Sequence, residues 1–235
     1  MIRLEKVNEK NFRKVLDMKL PEEQNCFVAP NVVSMAQAWL YYEEARPYAV
    51  MNDDEVVGFM MLDWDNDERT VGIWRFMIAF GEQKKGYGRA ALQTAIDMVK
   101  NEKNIDSMYL DYVKGNTVAR ELYYSLGFRE NGKMEGNEII MTLKLTDTPK
   151  VGMLSADEGD LDDIMDLIRE ATERKEEVPD LFKTRESISA LVKEEKVKRL
   201  TIYGDTIGLA DRDVLFIPKK FAGYRDEAMQ KVKGI

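Results

Sequence analysis

Phe76-Met-Ile-Ala-Phe-Gly-Glu-Gln-Lys-Lys-Gly-Tyr-Gly-Arg-Ala-Ala-Leu92 is the stretch on which the fold turns. It opens as an apolar run suited to a buried strand, passes through a glycine-containing turn, and continues as Ala91, Leu92, Ala95, Ile96 and Val99 at helical spacing. Gly86 and Gly88 carry no Cβ, so backbone N–H groups there can approach an anion while the helix start supplies partial positive charge. Lys84, Lys85 and Arg89 add full charges. No Gly-Lys-Ser/Thr follows, which excludes a Walker loop. Gly86-x-Gly88-x-x-Ala91 matches the dinucleotide fingerprint formally, but that fingerprint follows a single strand, and here hairpins precede it. Taken alone, the segment reads equally well as a pyrophosphate cradle or as a glycine-bearing helix start with exposed lysines.

Outward from it, the chain reads as short alternating elements. Upstream are a strand over 2–7, a helical stretch over 11–18, and strands over 48–51 and 56–62 joined by Asn52-Asp53-Asp54. Ser34-x-x-Gln37 reads as a capping box opening a helix that runs to about Ala45, with Met35, Ala38, Trp39 and Tyr42 as its apolar face. Thr70–Phe80 is a long β-branched and aromatic run. Downstream are a helix over 88–101, a strand over 105–113, a helix over 116–126, and a strand pair over 128–131 and 138–145. Hairpins first and helix alternation later predict a mixed α/β sheet with helices on its faces.

Composition narrows the chemistry. Of 235 residues, 43 are acidic and 35 are Lys or Arg, giving a net charge of −8. That balance, with no dense basic cluster, argues against nucleic acid and favours cationic partners. Cys26 is the one cysteine, which excludes an intrachain disulfide and points to a reducing, cytoplasmic setting. No apolar run reaches the roughly 18 residues of a membrane span, so no membrane partner is expected. Histidine is absent. The commonest general base and zinc ligand are therefore missing, and proton chemistry must run on Asp, Glu, Tyr, Lys or water. Asp63-x-Asp65-x-Asp67 is not a calcium loop, because Glu68 and Trp74 stand where glycine and glutamate are needed. No metal is expected.

A second segment, Asn116-Thr-Val-Ala-Arg-Glu-Leu-Tyr-Tyr-Ser-Leu-Gly-Phe128, joins Gln83-x-x-Gly86-x-Gly88. Together they resemble the GNAT superfamily of acetyl-CoA-dependent N-acyltransferases, over about residues 1–145. The resemblance implies a GNAT-like fold and acetyl-CoA as co-substrate. It implies that Phe76 and Ile78 meet the pantetheine arm through main chain. Gln83, Lys84, Lys85, Gly86, Tyr87, Gly88 and Arg89 form the pyrophosphate loop, Asn116 borders the pantetheine, and Tyr123 protonates the departing thiolate. Read from spacing alone, Tyr123 equally suits an apolar helix face with Ala119, Leu122 and Leu126. No acid stands on Ile73-Trp74-Arg75-Phe76, so the base is left among Glu22, Glu23, Glu43 and Asp111, acting through water. The run Glu23–Pro30, Trp74–Ile78 and Asn131-Gly132-x-x-x-Gly136-Asn137 are similar to bacterial spermine/spermidine and diamine N-acetyltransferases. This implies a polyamine acceptor met by Glu22, Glu23, Phe27 and Trp74. Glu43, Glu44, Asp63, Asp65 and Asp67 would extend a negative funnel, or else are solvated turns. A non-catalytic acetyl-CoA-binding module, or another amine acceptor, is the rival reading.

The expected division is a catalytic domain over 1–146 and a small α+β domain over 150–235. In the latter, a strand over 151–154, a helix capped by Asp160, a helix over 184–195 and a hairpin around Gly204-Asp205 repeat the order of the first 62 residues. That resembles the opening half of a second GNAT unit, broken off before any cofactor loop. Half a sheet leaves an edge and an apolar face, so docking or a homodimer is expected of it.

Overall fold

A computed structural model describes residues 1–212 and 214–233. The chain forms two compact units, one of 1–66 with 70–145 and one of 67–69 with 146–235.

The first unit is built on a seven-stranded sheet. Its strands are β1 (Ile2–Lys6), β2 (Ala45–Asn52), β3 (Glu55–Asp65), β4 (Thr70–Ile78), β5 (Ser107–Val113), β6 (Arg129–Glu135) and β7 (Glu138–Lys144), in the order β1-β2-β3-β4-β5-β7-β6. All neighbours are antiparallel except β4 and β5, which are parallel. Helices α1 (Phe12–Leu16) and α2 (Asn31–Leu40) cover one face, where Val15 and Ala38 join Ala49, Met51, Phe59 and Met61. Helices α3 (Tyr87–Lys100) and α4 (Thr117–Ser125) cover the other, where Leu92, Ile96 and Tyr123 join Met60, Leu62, Met108 and Leu110. Alternate residues of β3 thus feed different cores, as strand geometry requires.

Two features position the site. At Trp74 the β3–β4 ladder slips, with Met61 opposite Arg75 and Leu62 opposite Ile73. One extra residue in β4 is a β-bulge, which bends the strand. Beside it, β4 stays paired with β5 only from Thr70 to Gly72, against Ser107 to Tyr109. Past that point the two strands part. At the last pair, a Cβ on Gly72 would stand 2.5 Å from Cζ of Tyr109, so glycine there leaves room for that ring.

The expected helix at Ser34 is corrected. It begins after Pro30, and Ser34 is fully buried within it. Its buried stripe is Asn31, Ser34 and Ala38, with Met35 packed alongside, and it is partly polar because Asn31 Nδ2 donates to the Val15 carbonyl at the end of α1 (2.8 Å). Trp39 and Tyr42 are exposed rather than core.

The second unit has a four-stranded antiparallel meander, β8 (Gly152–Ser155), β9 (Lys198–Ile202), β10 (Asp205–Asp211) and β11 (Val214–Phe216). Helices α5 (Leu161–Glu173) and α6 (Arg185–Lys193) pack on one face, and α7 (Arg225–Lys233) on the other. Asp157, not Asp160, places its carboxylate over the first turn leading into α5, accepting from the Gly159 N–H at 2.7 Å. Thr184 caps α6. Strand β11 and helix α7 lie beyond the elements expected for this unit.

Candidate active site

Helix α3 starts where the backbone is most contorted. Gly81, Lys84 and Gly86 have φ of 86°, 62° and 84°. Gly86, in the left-handed region, stands immediately before the first helical residue, Tyr87, so the leading N–H groups of α3 have no carbonyl within the helix. A Cβ on Gly86 would meet nothing within 4 Å, whereas one on Gly88 would reach Ile78 Cγ1 at 3.7 Å, Leu122 Cδ2 at 3.8 Å and Phe76 Cζ at 3.9 Å. Gly88, Phe76 and Ile78 therefore share one spot at the mouth of the parted strands. Gln83 braces the loop: its Nε2 donates to the Ile78 carbonyl at 3.1 Å and to Gln24 Oε1 at 2.8 Å. Lys85 pairs with Glu82 at 3.1 Å, the Tyr87 phenolic Oη accepts from Asn52 Nδ2 at 3.2 Å, and Lys84 and Arg89 are exposed.

Across the gap, Asn116 caps α4, its Oδ1 accepting from the Ala119 N–H at 3.2 Å. Two turns on, Tyr123 is buried, edge-on to Phe128 at 6.2 Å. Burial, then the charge of Asp111, raises its phenol above the usual 10.0.

Strand β5 alternates between buried Met108, Leu110 and Tyr112 and the opposite face, which carries Tyr109 and Asp111. Register puts Asp111 opposite Ile140 and Glu138 opposite Val113, hence Asp111 and Glu138 on one face. Asp111 is open to solvent, yet enough protein surrounds it that desolvation, then Glu138 and Glu135, lift its carboxyl from 3.8 to about 6, against the pull of Arg75. Arg75 itself leans on the bulge: Nη1 donates to the Trp74 carbonyl at 2.7 Å, Nη2 to Gln37 Oε1 at 3.3 Å, and the guanidinium lies 5.4 Å from the Trp74 ring. Tyr41 meets the same ring edge-on at 5.6 Å. Further along this face, Tyr109 donates to Asp63 at 3.1 Å. Asp63 is raised by burial and then Asp65, and Glu44 by burial and then Asp63, Asp65 and Glu43.

The residues singled out in the sequence thus fall in three places. Phe76 and Ile78 lie on the parted end of β4 and Gln83–Arg89 in the loop and helix start that follow, while Asn116 and Tyr123 belong to α4, whose Leu122 comes near Gly88. Trp74 forms the bulge beside Arg75. Glu22 and Glu23 are exposed on a turn whose Gln24 touches Gln83, and Phe27 is half-buried just beyond them, so these three border the loop rather than joining the carboxylates of Glu44 and Asp63. Sequence reading missed Arg75 and Glu138, and named Asp111 only among other acids. The signal for Asp111 was available: a carboxylate between two apolar residues on a strand that ends in the gap.

Residues 13–128 match the model of the acetyltransferase (GNAT) family. Among solved structures, the spermidine N-acetyltransferase of Vibrio cholerae in complex with CoA and spermine is 18% identical with a TM-score of 0.52, over 61% of this chain and 95% of that one. A domain from Methanocaldococcus jannaschii is 17% identical with a TM-score of 0.52, over 61% of this chain and 98% of that one. At these identities the two share the fold of the first unit.

Proposed function

The chain carries a GNAT acetyltransferase domain that uses acetyl-CoA as co-substrate, and from that premise we propose that its acceptor is a primary amine on a polycation of the spermidine and spermine class. The observation that carries this reading is the charge of the face beside the gap. Glu44, Asp63, Asp65, Asp111, Glu135 and Glu138 act on one another or on their immediate neighbours there, and Arg75 is the cation set among the last three. Carboxylates whose proton affinity is raised by neighbouring carboxylates are relieved by an incoming cation. The likeness to a protein solved with spermine supports the same acceptor.

In this reading the pantetheine arm lies along β4 between Phe76 and Ile78, the pyrophosphate meets the N–H groups from Gln83 to Arg89, and Asn116 borders the arm. The amine nitrogen attacks the thioester carbonyl, and an unpaired β4 N–H faces the developing oxyanion. As the C–S bond breaks, its electron pair stays on sulfur, and the thiolate takes the phenolic proton of Tyr123. Trp74, with Phe27, Glu22 and Glu23 nearer the loop, would meet the acceptor chain. The amine face is the preferred reading over a module that holds acetyl-CoA without turnover, because a buried phenol, Tyr123, lies within electrostatic reach of a carboxylate, Asp111.

The test is thiol release from acetyl-CoA with spermidine, spermine, putrescine, lysine and an aminoglycoside, at low and high salt. The polyamines should show the highest kcat/KM, with the advantage shrinking as salt screens charges beyond about 10 Å at 0.1 M. Equal efficiency on a simple monoamine at low salt would overturn the polycation assignment. Absence of thiol release with every amine would leave the binding module.

A further inference from the structure

We propose that the outward face of α2 is an interface between two copies of this chain, packed antiparallel about a two-fold axis at Ala36. The helix is turned against its own patterning. Its buried stripe is Asn31, Ser34 and Ala38, and the side chains left facing outward are Val32, Val33, Ala36, Trp39 and Leu40. Trp39 is 79% exposed, Leu40 68% and Val32 60%. Tyr41 and Tyr42, just past the helix, extend the same exposed run. A surface helix ordinarily buries its bulky apolar residues and shows polar ones to water. Helix α2 does the reverse, and the bond from Asn31 to the Val15 carbonyl holds it in that orientation.

Two observations select the occupant. The first is area. Trp39, Tyr41 and Tyr42 expose roughly 450 Å², and the aliphatic side chains bring the patch to about 700 Å². The largest apolar patch on a monomer is about 300–600 Å², whereas a stable pair of proteins buries about 800 Å² on each partner. The second is charge. A third of the chain's residues are charged, yet none from Asn31 to Tyr42 is. A chain of net charge −8 meets itself most readily over a surface that carries no charge. Glu43 and Glu44 follow directly, which disfavours an anionic lipid surface as the occupant.

Spacing supplies the geometry. The outward residues stand three and four positions on either side of Ala36. Antiparallel packing about that point sets Val33 against the partner's Trp39 and Val32 against the partner's Leu40. Each contact then occurs twice, as a closed two-fold interface requires. The small side chain at the crossing lets the helix axes approach to the short end of the usual range of about 8–10 Å. Gln37 of the same helix holds Arg75, and Tyr41 meets Trp74 edge-on, so the interface adjoins the bulge of each copy.

The experiment measures the mass of the full chain by sedimentation equilibrium over a concentration series, for wild type and three variants, with the fold of each followed by circular dichroism. Wild type should show twice the mass of the chain at micromolar concentration. Ala36→Glu sets two carboxylates against each other across the axis and should show the mass of one chain with an unchanged spectrum, as should Ala36→Lys. Mixed in equal amounts, these two should regain the double mass, since opposite charges then meet. Trp39→Ala removes the largest contact twice and should raise the dissociation constant by at least about 100-fold. A wild type with the mass of one chain overturns the proposal, whether the face stays bare or binds phosphatidylcholine vesicles. A double mass retained in both Ala36 variants overturns it too, and moves self-association to another surface. Single-chain variants whose mixture stays single refute the two-fold register at Ala36.

Discussion

Tyr123 is 9% exposed and stands against Phe128, with the Asp111 carboxylate within electrostatic reach. Both influences favour the neutral phenol, so the group remains protonated across the working pH range. Tyr123→Phe preserves the ring contacts and removes the proton alone. We expect unchanged CoA affinity and a loss of about 10²–10⁴-fold in kcat; unchanged turnover would return the ring to a packing role. Asp111 carries a second expectation. Its folded pKa of about 6 exceeds the unfolded 3.8, so ionisation weighs against folding, and stability is lost as pH rises between those values. Asp111→Asn should therefore melt higher than wild type at pH 7 and no higher at pH 4. A lower melting temperature at pH 7 would contradict this. Much at this scale was legible in the sequence. Gly86, Gly88, Asn116 and Tyr123 sit in local motifs whose spacing is read along the chain. Arg75 and Glu138 were not legible, since they act on Asp111 from β4 and β7, segments far from it in sequence that only the folded sheet brings near.

Among elements, the bulge at Trp74 and the start of α3 do the positioning. Nothing in Ile73-Trp74-Arg75-Phe76 marks an extra residue, because a bulge in an apolar strand changes pairing and not composition. Helix α2 shows the converse. Ser34 and Gln37 have the residue types of a capping box, yet Pro30 ends the preceding loop and Ser34 is drawn inside because Asn31 must reach the Val15 carbonyl. A local pattern was overridden by one distant backbone acceptor. Helix α3, whose apolar face is complete in the sequence, was read to within about two residues. Its glycines make different predictions. Gly86→Ala has space for the new Cβ but φ of 84°, so it should lower stability by about 1–2 kcal/mol with limited change in affinity. Gly88→Leu keeps ordinary backbone geometry and pushes a side chain toward Phe76, Ile78 and Leu122. We expect it to stay folded and to lose CoA affinity by about 100-fold, or about 2.8 kcal/mol, by calorimetry.

At the scale of the whole molecule, the second unit repeats the order strand, two helices, three strands, helix that runs from β1 to α3 in the first. Strand order is also repeated, β8-β9-β10-β11 matching β1-β2-β3-β4, with the helix pair and the last helix again on opposite faces. The sequence revealed this order as far as the hairpin. It hid the rest because β11 has three residues and α7 is largely charged. Where the first unit has its glycine loop, the second has Lys219–Tyr224, with Phe221 packed on the core and without a second Gln-x-x-Gly-x-Gly. Its least replaceable polar residue is Arg199, whose side chain is 10% exposed and pairs with Glu68 and Asp160 within that unit. Arg199→Met should destabilise the unit by about 3–5 kcal/mol, because two nearly buried carboxylates lose their countercharge. Adding Glu68→Gln and Asp160→Asn should recover part of the melting temperature, and a single variant as stable as wild type would refute the assignment.

The parting of β4 from β5 also makes a break in the middle of a sheet, and so an internal edge. Past Gly72 the backbone amides of β4 have no β5 partner, and the Trp74 and Ile78 carbonyls accept instead from the side chains of Arg75 and Gln83. An edge of this kind is a template for any extended chain, an unfolded neighbour included. Acetyl-CoA would then serve the free protein as the missing strand, shielding those amides from hydrogen exchange and raising thermal stability with the logarithm of its concentration. Preparations depleted of it should aggregate sooner on heating, a liability inherent in keeping a sheet open for a substrate.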